Sequence, residues 1–243
     1  MRYIVTRYLP CLLLLPALAL SCAGPSRLQD GSSFENVTAP AGEQPALNVN
    51  DNTTAFNPVS ALLVAEEYDL AIAEAGVELE RNAEDVTLKE KLADAYIARA
   101  WYYKDKRLNP NALADLSKAV EIAPEYYRPY YELGRFHNNQ WQFSMGQLDL
   151  DRALSLKPDF AAAYSERSYS NYKKQKYEIA LDDVNKAIEI DASDGQFYYM
   201  RSLIYRGMGR NDLAIGDLEA AMRLAKDAAL IKKVNADLQT LLK

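Results

Sequence analysis

The sequence predicts an all-α solenoid, and three observations carry that prediction. A 34-residue period persists through four consecutive copies without insertion or deletion. Each copy has the apolar spacing of two amphipathic helices. The C-terminal stretch ALIKKVNADLQTLL, residues 229–242, has the spacing of one more helix, suited to covering a last apolar face.

The period is legible residue by residue. Tyr96, Tyr130, Tyr164 and Tyr198 stand 34 apart, as do Ala119, Ala153, Ala187 and Ala221. Leu116, Leu150, Val184 and Leu218 keep the same step, and so do Ala112, Gly146, Ala180 and Ala214. Small residues at fixed places let two helices approach closely while large ones fill the gaps between them. The units are therefore 93–126, 127–160, 161–194 and 195–228, with the first helix of each unit (A) and the second (B) joined by a short turn. The tyrosine register is expected in the core. Tyr131, one residue beyond Tyr130, points elsewhere. Pro129 falls in the first turn of its helix, where the missing N–H costs no intrahelical bond.

The flanks differ from the repeat. Arg2 and Arg7 precede a short apolar run, LPCLLLLPALAL at residues 9–20, and small residues follow, so residues 1–21 read as an export signal. Residues 22–57 are rich in Gly, Pro, Ser, Asn, Asp and Thr without helical or strand period, which is the composition of a disordered tether. Residues 58–92 read as an N-terminal helical region or degenerate repeat, of which 86–92 extends the first A helix. Residues 229–243 form the capping helix.

Composition excludes several classes of function. A formal charge of −6 and a pI near 5.0 argue against nucleic-acid binding, which needs a basic footprint. A single histidine, His137, and no cysteine after Cys22 leave zinc, haem and thiol chemistry without ligands or nucleophiles. Gly207-Met208-Gly209 reads as the turn between two helices rather than a dinucleotide fingerprint. The chain reads as a non-enzyme without a small-molecule cofactor.

A 34-residue period of paired amphipathic helices resembles the tetratricopeptide repeat family, over roughly residues 93–228. The family pattern expects a small residue at the eighth position, here Ala100, Gly134, Ser168 and Ser202. The resemblance implies a concave groove lined by the A helices at positions two, five, nine, twelve and thirteen. Carried over, it nominates Trp101, Arg128, Tyr131, Arg135, Asn138, Tyr169, Tyr172, Lys173, Tyr199 and Arg206 as groove residues for a protein partner. These are types enriched at binding hot spots, although 17 tyrosines in the chain make some of them incidental. The A-helix windows hold ten Lys or Arg against four Asp or Glu, and the B-helix windows five against twelve. That asymmetry suggests a ligand that is acidic or rich in carbonyl acceptors; the other account is ion pairing between A and B helices and solvated faces. The Lys and Asn clamp with which some family members grip a terminal carboxylate is absent at the corresponding positions, Ile97, Trp101, Tyr131 and Arg135.

Ala19-Leu20-Ser21-Cys22 resembles a bacterial lipobox, with alanine at the usual leucine position; cleavage after Ala17-Leu18-Ala19 is the alternative. The resemblance implies lipidation of Cys22, by palmitate among other acyl chains, and an outer-membrane anchor facing the periplasm. Another envelope protein is the expected partner. Self-association through the solenoid, or a glycan in the groove, are the competing readings.

Overall fold

A computed structural model describes residues 67–242. The export signal at 1–21, Cys22, the tether at 22–57 and the start of the N-terminal helical region lie outside the described residues. Ten helices and no strand are present among them: α1 (Tyr68–Arg81), α2 (Val86–Asp105), α3 (Asn109–Ile122), α4 (Tyr127–Asn139), α5 (Phe143–Leu156), α6 (Ala161–Lys173), α7 (Tyr177–Ile190), α8 (Gly195–Gly207), α9 (Asn211–Leu224) and α10 (Ala228–Leu241).

Each helix pair packs on itself and then on the next, in chain order. The A helices α2, α4, α6 and α8 also touch one another in succession, whereas no two B helices meet among the described residues. The stack therefore curves with the A helices on its inner side. Helix α10 contacts both α9 and α8, so it occupies the place of a fifth A helix and covers Leu218 and Ala221 with Leu230 and Val234. Such a cap is what a stacked array needs at its end.

The turn inside each unit is built identically. The fifteenth residue of every unit is left-handed: Arg107, Trp141 and Gln175 have φ near 60°, and Gly209 has φ 74°. Only glycine adopts that conformation without a steric cost.

The core runs along the A–B contact. Ala112, Leu116 and Ala119, Leu150 and Ala153, Ala180, Val184 and Ala187, and Ala214, Leu218 and Ala221 are all essentially inaccessible. The tyrosine register lies at the edge of this core rather than inside it, which corrects the sequence expectation: Tyr96, Tyr164 and Tyr198 pack against it without being enclosed. Tyr96, Tyr130, Tyr164 and Tyr198 are half-buried. Their rings lie against arginines, and the hydroxyls of Tyr130 and Tyr198 donate to the carbonyls of Pro124 and Ala192 in the preceding inter-unit turn. A phenol keeps its polar end where an acceptor or water can reach it, so an alanine–leucine seam fills the interior instead.

The B-helix acids are not all solvated either. An aspartate recurs every 34 residues at Asp115, Asp149, Asp183 and Asp217; Asp115, Asp183 and Asp217 are buried and accept bidentate bonds from Arg99, Arg167 and Arg201, at 2.6–3.1 Å. The third guanidinium nitrogen reaches back to the preceding B helix, to Asp69, Asp151 and Asn185 respectively. Each arginine thus ties three helices together. Unit two departs: Leu133 stands at the arginine position, and His137 Nδ1 lies 2.6 Å from Asp149 Oδ2.

In unit two the A and B helices meet at a pair of glycines, Gly134 and Gly146. A Cβ on Gly146 would lie 2.5 Å from Asn138 Oδ1 and 2.9 Å from the Gly134 carbonyl oxygen. Alanine occupies this register position in the other three units and normally stabilises an interior helical site by about 0.5–1 kcal/mol over glycine. Here Gly146→Ala should instead destabilise the fold by roughly 1–3 kcal/mol, through overpacking. Urea unfolding measures this, and a gain in stability would refute the geometry.

Candidate functional site

The inner face is built from one stripe of each A helix, and its residues fall into three groups. The first lies where α2, α4 and α6 meet. The Trp101 indole N–H donates to Glu132 Oε2 at 2.9 Å, and Arg135 binds the same oxygen at 3.0 Å. The Arg135 guanidinium lies 4.8 Å from the centre of the Trp101 ring and 5.5 Å from that of Tyr131, with Glu166 at 3.7 Å on another side. Lys104 sits 4.8 Å over the same indole. Tyr131 packs edge-on against Phe160 at 4.7 Å and rests on the Leu150, Leu154 and Ala163 cluster, and its burial pushes the hydroxyl pKa up. Truncating it therefore removes packing as well as surface.

Asn138 is not a surface residue. It is 3% exposed, donates to the Glu166 backbone carbonyl at 3.2 Å and carboxylate at 3.3 Å, and accepts from the Ser170 hydroxyl at 2.8 Å. Its amide oxygen fills the space beside Gly146, which has no Cβ, and its bonds staple unit two to unit three. This corrects its assignment as a groove contact.

The second group is Tyr169, Tyr172 and Lys173 on α6. The Lys173 ammonium lies 5.3 and 5.7 Å from the two tyrosine ring centres and 5.1 Å from that of Trp141. The third is Tyr199 and Arg206 on α8. Both reach Asp237 of α10, at 3.1 and 2.7 Å. Arg128 stands apart at the α2–α4 junction, paired with Asp94 at 2.9 Å.

Sequence reasoning missed the carboxylates that meet these cations. Glu132 and Glu166 share the sixth position of their units, a signal available in the register, and Asp237 gave none; Asp94 stands at the second, groove-lining position of its unit. Ion pairing accounts for part of the charge asymmetry. The six arginines of the A helices (Arg99, Arg128, Arg135, Arg167, Arg201 and Arg206) are all ion-paired. Lys104 and Lys173, by contrast, lie over aromatic rings and pair with no carboxylate among the described residues. The arrangement offers ring faces and two lysine charges, held on a rigid arginine–carboxylate frame.

A cleft of about 490 Å³ opens elsewhere, lined by residues of α1 and α2 including Leu70, Arg99 and Tyr102. It contains none of the residues nominated from the sequence. Among the described residues no cluster of metal-ligating side chains forms, and no helix is long and apolar enough to cross a membrane.

Comparison with known proteins agrees with the geometry. Residues 195–227 match the tetratricopeptide repeat model. Similar solved structures include MamA (22% identity, 70% of this chain and 95% of that one, TM-score 0.54). Another is YrrB, described as a tetratricopeptide protein with an unusual peptide-binding site (18%, 73% and 88%, TM-score 0.54). A third is TTC0263 of Thermus thermophilus (18%, 75% and 96%, TM-score 0.54). At these identities the likeness establishes the fold. No curated protein matches the sequence.

One consequence of the site is pH-dependent. Burial lifts the Asp94 carboxyl to about 6, against the pull of Arg128, and its Oδ1 has no hydrogen-bond partner. The folded pKa exceeds the unfolded one, so the stability this group contributes is present below pH ~4 and lost as pH rises through 6. The stability of the native chain relative to Asp94→Asn should fall by roughly 1–3 kcal/mol between pH 4 and 7. An NMR titration should place the Asp94 midpoint near 6. A midpoint below 4 would contradict the burial argument.

Proposed function

We infer that this chain, which folds as a tetratricopeptide-repeat solenoid, is a non-catalytic adaptor that holds a segment of another protein on the inner face of its A helices. The observation that carries the reading is the run of half-exposed aromatic side chains Trp101, Tyr169, Tyr172 and Tyr199 along that face, with Lys104 and Lys173 left without carboxylate partners among them. Aromatic groups with few torsions give large contact area at low entropic cost, which suits them to anchor a partner. The peptide-binding site attributed to YrrB, a protein of like fold, supports the same reading.

We place the adaptor in a bacterial envelope, exported and lipid-anchored through Cys22. The support is in the sequence: a short positive-then-apolar leader, the Ala19–Cys22 pattern and the absence of any later cysteine. A single acylated terminus would hold the protein at the outer membrane without spanning it. Self-association is the second reading. It rests on a row of half-exposed apolar residues on the B helices, Met145, Ile179 and Leu213, at the same register position in three units.

Both parts are testable in the native envelope. A photo-reactive residue at Tyr172 or Tyr169 should give a discrete cross-linked adduct with another protein, whereas one at Asp182, exposed on a B helix, should not. In the same cells Cys22→Ser should abolish palmitate labelling and release the chain from membranes. Adducts from position 182 alone would move the interface to the B helices, and unchanged labelling would remove the anchor.

A further inference from the structure

We propose that the rim of the inner face, at the turn between α4 and α5, is a subsite for a peptide carboxylate flanked by an apolar side chain. The proposal rests on the peptide-binding reading above and specifies its partner chemistry.

Trp141 carries the first part of the argument. It occupies the left-handed turn position, φ 62°, which Arg107 and Gln175 fill in units one and three and glycine in unit four. A bulky residue in that conformation costs stability that glycine would not. Its side chain is nevertheless 70% exposed and so does not recover that cost by core packing. The ring instead forms one wall of an aromatic corner. Phe143 lies 5.8 Å from it and 6.1 Å from Tyr169, so Trp141, Phe143 and Tyr169 form a chain of edge-on contacts from the turn to the inner face.

Charge carries the second part. Lys173 is held within 5.1–5.7 Å of the centres of Trp141, Tyr169 and Tyr172. Ring faces position an ammonium without neutralising it. Lys174, beside it, bonds Ser144 and Gln147, which are neutral. Two adjacent lysines thus lack a carboxylate partner among the described residues, on helices whose arginines are all paired. A carboxylate reaching this corner meets net positive charge, and an apolar neighbour in the same segment meets the indole. An uncharged glycan would use the rings but not the lysines, so the charge pattern favours a peptide. The acid can be an internal Asp or Glu or a chain terminus, since both present the same group.

Selection of a phage-displayed random dodecapeptide library on the intact protein tests this. Enriched clones, resynthesised with free and amidated C termini, separate the two sources of the acid. We expect enrichment of an acidic residue, or dependence on the free terminus, next to an apolar one. Trp141→Gly and Lys173→Gln should each weaken binding of those peptides about tenfold or more, and salt should weaken native binding. Trp141→Gly should keep its circular dichroism and melt no lower than the native chain, which rules out unfolding as the cause. Peptides that bind but show no acidic preference, or that ignore both substitutions, would overturn the subsite while leaving peptide binding intact. A library that yields no binder would overturn the peptide-binding reading, and with it this one. Binding of chitotetraose in place of peptide, lost in Trp141→Gly, would overturn the proposal in favour of a glycan.

Discussion

The bidentate pair between an A-helix arginine and a B-helix aspartate is the interaction on which the repeat geometry depends. It joins residues 16 apart in units one, three and four, and its third nitrogen reaches the preceding B helix. Apolar packing of alanines and leucines brings the helices together but is poorly directional. The planar fork of a guanidinium, by contrast, fixes both distance and orientation. A buried pair adds little net stability by itself, yet breaking one leaves an uncompensated charge inside the stack, so it acts as a constraint on register. A tyrosine face above each guanidinium completes the unit.

Unit two meets the same constraint with different residues. Leu133 replaces the arginine, His137 approaches Asp149, and Gly134 faces Gly146 across the helix pair. Asn138 is buried beside Gly146 and bonds Glu166 and Ser170 of the next unit.

The period made the architecture legible: a strict 34-residue step through small and large residues permits only one pattern of stacking, and it located the helix starts at Tyr127, Ala161 and Gly195. Side-chain roles were less legible, because a helix position fixes direction and not surroundings. Tyr130 and Tyr131 illustrate this. The first, expected inside, has its hydroxyl on the Pro124 carbonyl at the edge; the second, expected on the surface, packs on Phe160 and the Leu150 cluster. The charge count likewise hid its own explanation, since a count of charges does not say which pairs meet: some partners lie 16 residues on in the same unit, Asp94 lies one unit back from Arg128, and Asp237 lies beyond the repeat.

The inner-face cations divide by contact: the arginines are ion-paired within the scaffold, while Lys104 and Lys173 lie over ring faces with no carboxylate partner among the described residues. Arg135 is the sharpest case, since it touches four of the residues nearest the centre: Trp101, Tyr131, Glu132 and Glu166. Urea unfolding of Arg135→Gln tests the division most directly. Removing this guanidinium leaves the buried Glu132 carboxylate with the Trp101 N–H but without its ion partner, so the fold should lose about 2–4 kcal/mol. Unchanged stability would contradict the account and return Arg135 to the binding surface.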